Sequence, residues 1–305
     1  MVEWTKSKKR RKPSRLVVFM ENTYLDRTAK PIYGLTFLLP LIILYEVGTL
    51  AFNTGIDHSQ IRVVSFLWIQ QLLGYIGLTP EIAWIGAPLM VIVILLAMQI
   101  TSKAKWKVNI PDHFVMAAEC VALAVPLIVL SMLLNRPAME QTILAAQSPL
   151  PQHSIVAQIE SISIFDTQDD APDTSTQNLM GIIVTGIGAG IYEELVFRLL
   201  LIGLLVIIMQ DVIGIKGTHA IIIAVLISSL VFSLHHHIVF IDGHFVRPEA
   251  FSIASFSFRT FAGVYFAVLY AIRGYGITAG THAFYDIIIA VLNSVVFTAP
   301  QGSEG

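Results

Sequence analysis

Cysteine is all but missing from this sequence. Its single occurrence among 305 residues, Cys120, rules out an intrachain disulfide, and its place in an apolar run marks it as a small core residue. Charge is scarce as well. Asp, Glu, Lys and Arg make up 13% of the residues, against about 25% in a soluble domain. With 55% hydrophobic residues, the composition excludes an ordinary soluble domain and specifies an all-α, polytopic integral membrane bundle. The net charge of −2 adds little, because the distribution of charge matters more than its sum. There is no internal repeat either, which weighs against a transporter built from inverted halves.

The apolar runs define the architecture. Residues 34–52, 82–100, 114–134, 179–209, 219–240, 251–272 and 276–298 each approach the ~20 residues needed to cross a bilayer, giving about seven spans. Residues 63–79 are shorter and interrupted by Gln70 and Gln71, and read as one short interfacial or re-entrant helix. The chain therefore divides into a basic segment (1–33), N-terminal spans (34–134), an acidic extramembrane loop (135–178), a core of four spans (179–298) and a tail (299–305). Lys and Arg crowd residues 6–15 and recur at Lys103, Lys105 and Lys107. Both clusters belong on the cytoplasmic side, which places the acidic loop outside. The expected location is an integral, multi-pass membrane protein, in the plasma (inner) membrane if the source is bacterial. The basic N-terminus reads as a topology anchor, so the partners expected are the lipid bilayer and a membrane-associated peptide or protein, and no nucleic acid.

Charged residues inside the spans carry the functional signal, since a carboxylate at the bilayer centre costs about 2.5–3.5 kcal/mol on insertion scales. Glu193, Glu194 and Arg198 lie within the run 179–209. Glu194 and Arg198 are four apart on one helical face, in the favourable order. Glu193 points about 100° further round, so one glutamate looks structural and the other available. Near the end of the next span, Phe232 and His236 share a face at i, i+4, while His235 and His237 point elsewhere. In the last span His282 and Asp286 share a face. A carboxylate and imidazoles on facing bundle helices suit activation of water and stabilisation of an oxyanion. The simple topology places His236 and His282 towards opposite ends of their spans, so they meet only if a helix is shortened, offset or tilted.

The order Glu193-Glu194-x-x-x-Arg198, Phe232-x-x-x-His236, His282-x-x-x-Asp286 resembles the CPBP family of intramembrane endopeptidases (CAAX protease and bacteriocin processing, also Abi), over roughly 179–290. Its eukaryotic and archaeal members remove a C-terminal tripeptide after prenylation. The resemblance implies an intramembrane peptide hydrolase with Glu193, His236, His282 and Asp286 in catalytic roles, supported by Glu194, Arg198 and Phe232. Glu193 would be the base that activates water, with His236 beside it and His282 with Asp286 on the oxyanion side. Two positions depart from the family pattern, Asp286 for the commoner Asn and Leu199 for Gly. No cofactor is expected. Zinc is the possible metal, with Glu193, His236 and His282 as its ligands.

Other chemistries fit less well. The sequence has no His-Glu-x-x-His for a zinc site-2 type protease, no Gly-x-Ser-x-Gly for a rhomboid-like enzyme and no Gly-x-Gly-Asp for a presenilin-like pair. Gly186 and Gly190 read as small residues that permit close helix packing. Two further readings stand beside the enzyme: a non-catalytic binding or immunity module on the same fold, and a transporter with a charged path through Glu46, Glu119, Glu193, Asp286 and Arg259.

Overall fold

The computed structural model describes residues 20, 22–52, 62–134, 175–215, 217–241, 243–248 and 251–297. The basic cluster at 6–15 and nearly all of the acidic loop lie outside the described residues. The rest is a helical membrane bundle. A short α1 (Tyr24–Thr28) leads into α2 (Pro31–Phe52), α3 (Val64–Tyr75), α4 (Pro80–Ser102) and α5 (Ile110–Leu134). A continuous helix, α6, begins as Ser175–Gly188 and runs on through widened π turns at Ala189–Glu193, Leu195–Leu201 and Ile208–Val212. It is followed by α7 (Thr218–Leu234), a hairpin of β1 (Val239–Ile241) and β2 (His244–Val246), then α8 (Ile253–Arg273) and α9 (Tyr275–Phe297). Among the described residues six helices are long and apolar enough to cross a membrane, α2, α4, α5, α6, α8 and α9, and α7 is a shorter apolar helix. The chain is a multi-pass membrane protein. Exposed Ile43, Leu44 and Val47 on α2, Ile85 and Leu89 on α4, and Val125 and Val129 on α5 form surface suited to lipid.

Two short elements shape the surroundings of the buried charges. Helix α3 has 12 residues, about 18 Å at helical rise, and so matches the length expected of an interfacial or re-entrant piece. The expected span 219–240 is not helical throughout. Helix α7 stops at Leu234, and Val239–Ile241 becomes a strand paired antiparallel with His244–Val246. The local sequence explains this: β-branched and aromatic residues precede Asp242-Gly243, a hairpin signal, and Gly243 takes the positive φ of 83° that such a turn requires.

Helix α9 lies at the centre of the bundle. Of its apolar window 61% is buried, against 17–33% for the other long helices, and it packs against α2, α5, α6 and α8. Glycine makes the closest of these approaches possible. A Cβ on Gly190 would stand 2.5 Å from the Ala283 backbone nitrogen and 2.7 Å from the Ala279 carbonyl oxygen. One on Gly186 would meet the Asp286 Cβ at 2.7 Å. The close-packing role read from the small-x-x-x-small spacing is the one observed. Because backbone cannot yield as a side chain can, Gly190→Ala is expected to destabilise the bundle by about 1–3 kcal/mol. Gly203→Ala has open space around its Cβ and is expected to cost nothing. Melting temperatures of the two variants in one detergent check this difference.

Polar fasteners hold the flanking helices in register. Arg273 at the end of α8 donates to both Glu119 oxygens of α5, at 2.6 and 2.7 Å, and to Thr28 Oγ1 of α1 at 2.8 Å. Tyr24 donates to the same carboxylate at 2.6 Å. Burial and that carboxylate both push the Tyr24 hydroxyl pKa up, so the hydroxyl stays a donor. On another face Tyr192 donates to Glu46 at 3.0 Å, and the Arg62 guanidinium approaches Glu46 at 3.6 Å while lying 4.1 Å over the Phe66 ring.

Candidate active site

The two glutamates sit where α6 is wound widest. Glu193 ends the π turn Ala189–Glu193 and Glu194 precedes the next, Leu195–Leu201. Such insertions into α-helices recur at functional sites. Both side chains are buried, yet their surroundings differ. Glu194 Oε1 accepts a hydrogen bond from His282 Nδ1 at 2.8 Å, and Oε2 lies 3.1 Å from Arg198 Nε, the i, i+4 pairing that the spacing predicts. The Arg198 guanidinium in turn lies over aromatic rings, its Cζ 4.1 Å from the Phe232 centroid and 5.4 Å from that of Phe266. This is how a guanidinium with 1% exposure is accommodated beside one carboxylate.

Glu193 is surrounded by imidazoles instead. Its Oε1 lies 3.6 Å from His235 Nε2 and its Oε2 lies 3.9 Å from His282 Nε2, both beyond a good hydrogen bond. Asp286 Oδ2 stands 3.6 Å from the same His282 nitrogen. His282 is thus held on one side by Glu194, stacked at 4.6 Å on Phe266, and turned with Nε2 towards Glu193 and Asp286. Glu193, Glu194, Arg198, Phe232, His236, His282 and Asp286 converge on one buried region, in which the Phe232 ring contacts Arg198, His236 and His282.

Helical spacing misplaces one residue: His235 does not point elsewhere. The helix ends at Leu234, and the turn beyond it, 235–237, lets two consecutive imidazoles face the same side, with ring centroids 3.9 Å apart. Phe232 organises both: its carbonyl accepts from His236 Nδ1 at 3.0 Å and also from His235 Nδ1. A signal is present in the spacing, since His235 is i+3 from Phe232 and i+3 shares a face as i+4 does. Phe266 and Trp68 also adjoin the site and escape a reading of the sequence. Trp68 of α3 packs against Phe197 and His235, at 6.1 and 5.8 Å between centroids. Neither carries a charge that would single it out in a sequence this rich in aromatics.

The ending of α7 also answers how His236 reaches the site. Seventeen residues rise about 25 Å, less than the ~30 Å hydrocarbon thickness. The histidines at its end therefore need not lie at the far face.

The donor set fits a metal. One ligand atom each from Glu193, His235 and His236 lie within 4.8 Å of one another, so His235 takes the place expected of His282. A carbonyl oxygen only accepts, so hydrogens on both Nδ1 atoms satisfy the Phe232 oxygen. Neutral rings of that tautomer present Nε2 lone pairs. A carboxylate and two such nitrogens present only lone pairs to one another, which the O–H groups of a water satisfy by hydrogen bonds or a cation by coordination. Of the other charges named for a path, Glu119 is taken up by Arg273 and Tyr24, and Glu46 by Tyr192 and Arg62, whereas buried Arg259 of α8 lies within electrostatic reach of His236 and Asp286.

Residues 175–288 match the family described as Type II CAAX prenyl endopeptidase Rce1-like. The match runs from the start of α6 into α9 and contains Glu193, Glu194, Arg198, Phe232, His235, His236, His282 and Asp286, with the N-terminal helices, Trp68 among them, outside it. No curated protein and no solved structure matches the chain.

Proposed function

We propose that this protein is an intramembrane endopeptidase in which Glu193 activates water against a peptide bond of a membrane-associated substrate. The observation that carries the reading is the division of labour between adjacent carboxylates. Glu194 is consumed by Arg198 and His282, whereas Glu193 faces imidazoles at 3.6 and 3.9 Å and is committed to no close partner. The family match supports the reaction class. The basic N-terminus belongs on the cytoplasmic side.

In this reading a water between Glu193 and the His235–His236 pair gives its proton to Glu193 as its oxygen bonds to the scissile carbonyl carbon. The carbonyl π electrons move to oxygen, forming an oxyanion on the side of His282 and Asp286. Collapse re-forms the carbonyl, breaks the C–N bond and passes the proton from Glu193 to the leaving amine. Phe232 holds both imidazoles through its carbonyl and Arg198 through its ring. A zinc held by Glu193, His235 and His236 would supply a Lewis acid and a more acidic bound water.

Two measurements test this reading. Purified protein in liposomes is incubated with apolar membrane peptides in ¹⁸O-labelled water, and fragments are read by mass spectrometry. A new carboxyl terminus carrying one ¹⁸O is expected, and intact peptides under all conditions would refute hydrolysis. Metal content decides the second point. Turnover that persists in a chelator is expected for the glutamate-only site, whereas stoichiometric zinc lost on His235→Ala, together with chelator-sensitive turnover, would place the ion in the cluster.

Asp286 gives a further prediction. Asp286→Asn supplies a neutral donor at the oxyanion side and is expected to keep activity within about tenfold, while Asp286→Ala loses about 10²-fold or more. Initial rates on one peptide check the order of the two.

A further inference from the structure

The chain leaves the site directly into a strand. Three residues beyond His236 lies Val239, the first residue of β1, and β2 covers only one edge of that strand. The register pairs Phe240 with Phe245, between the pairs Ile241–His244 and Val239–Val246. The Phe240 carbonyl does not point at β2, because it accepts the Trp68 indole N–H of α3 at 3.0 Å. In an antiparallel strand the N–H and C=O of one residue project to the same side. The outer edge of β1 therefore presents both main-chain groups of Phe240 towards α3, and the Trp68 side chain bridges across.

Beside that bridge lies a shallow groove of about 360 Å³ lined by Trp68, Gln71, Leu72, Tyr75 and Phe240. Its apolar walls are open: Tyr75 is 83% exposed, Leu72 49% and Phe240 46%. Its inner wall is the Trp68 indole, whose other contacts are Phe197 and the His235 ring of the Glu193 site. Groove, strand edge and His235 are thus consecutive features meeting at one residue.

We infer that the outer edge of β1 and the groove beside it are the docking track for an extended apolar peptide segment, which pairs with the Phe240 main chain in place of the Trp68 indole N–H and lays a side chain against Leu72 and Tyr75. The proposal rests on the endopeptidase reading for the identity of the peptide as substrate. A scissile bond must be presented extended, and an edge strand holds an extended chain by main-chain bonds while leaving alternate side chains free for pockets. The track runs from the groove to His235, so a peptide on it is delivered to Glu193 with its backbone already fixed. Trp68 is then a positioning residue that closes the track when no peptide is bound.

Binding can be separated from turnover by using full-length Glu193→Gln protein in detergent. The probe is a short fluorescein-labelled peptide of alternating leucine and alanine, read by anisotropy. Each peptide nitrogen is methylated in turn. The expected pattern is about tenfold weaker binding at alternate positions only, since every second N–H faces β1. Phe240→Pro removes the outward N–H and none of the bonds to β2, as proline is tolerated at an edge. It is expected to weaken the probe about tenfold, while the matched Phe245→Pro on the far edge leaves binding unchanged. Trp68→Phe frees the carbonyl and is expected to tighten binding. A photo-reactive benzoylphenylalanine at Leu72 should join to the probe, and one at lipid-facing Val125 should not. A methylation scan without alternation, equal loss in both proline variants, or equal cross-linking at Leu72 and Val125 would overturn the track. Because no cleavage is measured, a failure of hydrolysis in the ¹⁸O experiment leaves these outcomes readable by themselves.

Discussion

Glu193→Gln is expected to lower turnover by about 10³-fold or more while leaving the melting temperature nearly unchanged. The amide keeps the shape of the side chain and its length, and it loses the ability to take a proton from water. Among the described residues Glu193 makes no short hydrogen bond or close ion pair that the amide would break, its nearest partners being at 3.6 and 3.9 Å. Removing the reacting group should therefore reduce the rate constant with little change in the Michaelis constant. The measurement is kinetic and thermal on the same preparation. Equal rates in wild type and Glu193→Gln would sink the assignment of the base.

The neighbouring residue should behave in the opposite way. Glu194→Gln leaves Arg198 buried at 1% exposure without its carboxylate. Breaking a buried pair by removing one partner costs about 3–5 kcal/mol. The loss extends to His282, whose Nδ1 donates to the same carboxylate at 2.8 Å. Glu194→Gln is thus expected to lower the melting temperature by many degrees. The double variant Glu194→Gln, Arg198→Met should recover part of that loss, because it removes the unpaired charge as well. A double variant no more stable than Glu194→Gln alone would show that the ion pair is not what stabilises this region. Two carboxylates adjacent in sequence would then differ in kind, one read out in rate and the other in stability.

Most of the bundle is legible in the sequence because hydrocarbon imposes a simple rule: an apolar run long enough to cross must be helical. That rule locates the six long helices to within a few residues of their ends. It fails at α7, where the apolar run 219–240 continues past the helix end. Hydropathy does not distinguish Val239-Phe240-Ile241 as a strand from the same residues as a helix, whereas Asp242-Gly243 does, through turn chemistry. The same boundary accounts for His235. Helical spacing does not hold for residues that lie in a turn, so face selection at i+4 excludes a side chain that the turn brings in. The Glu194–Arg198 pair is legible because it is local. Phe266 under His282 and Trp68 beside His235 are not, because their contacts join different elements and their types are ordinary in a membrane core.

The shortness of α7 has a mechanical meaning for the surrounding lipid. A wall of about 25 Å set in hydrocarbon of about 30 Å forces the adjacent leaflet to dip or the helix to ride towards one side, at a cost of fractions of a kcal/mol per ångström of mismatch. With a dipped leaflet, the histidines that follow α7 would stand at its floor, on the side from which water reaches Glu193. Hydrolysis needs one reactant from each phase, an apolar chain from the bilayer and a water from outside it. On the endopeptidase reading the length of a single helix would set where the two meet, so the acyl-chain length of the host membrane would tune the site.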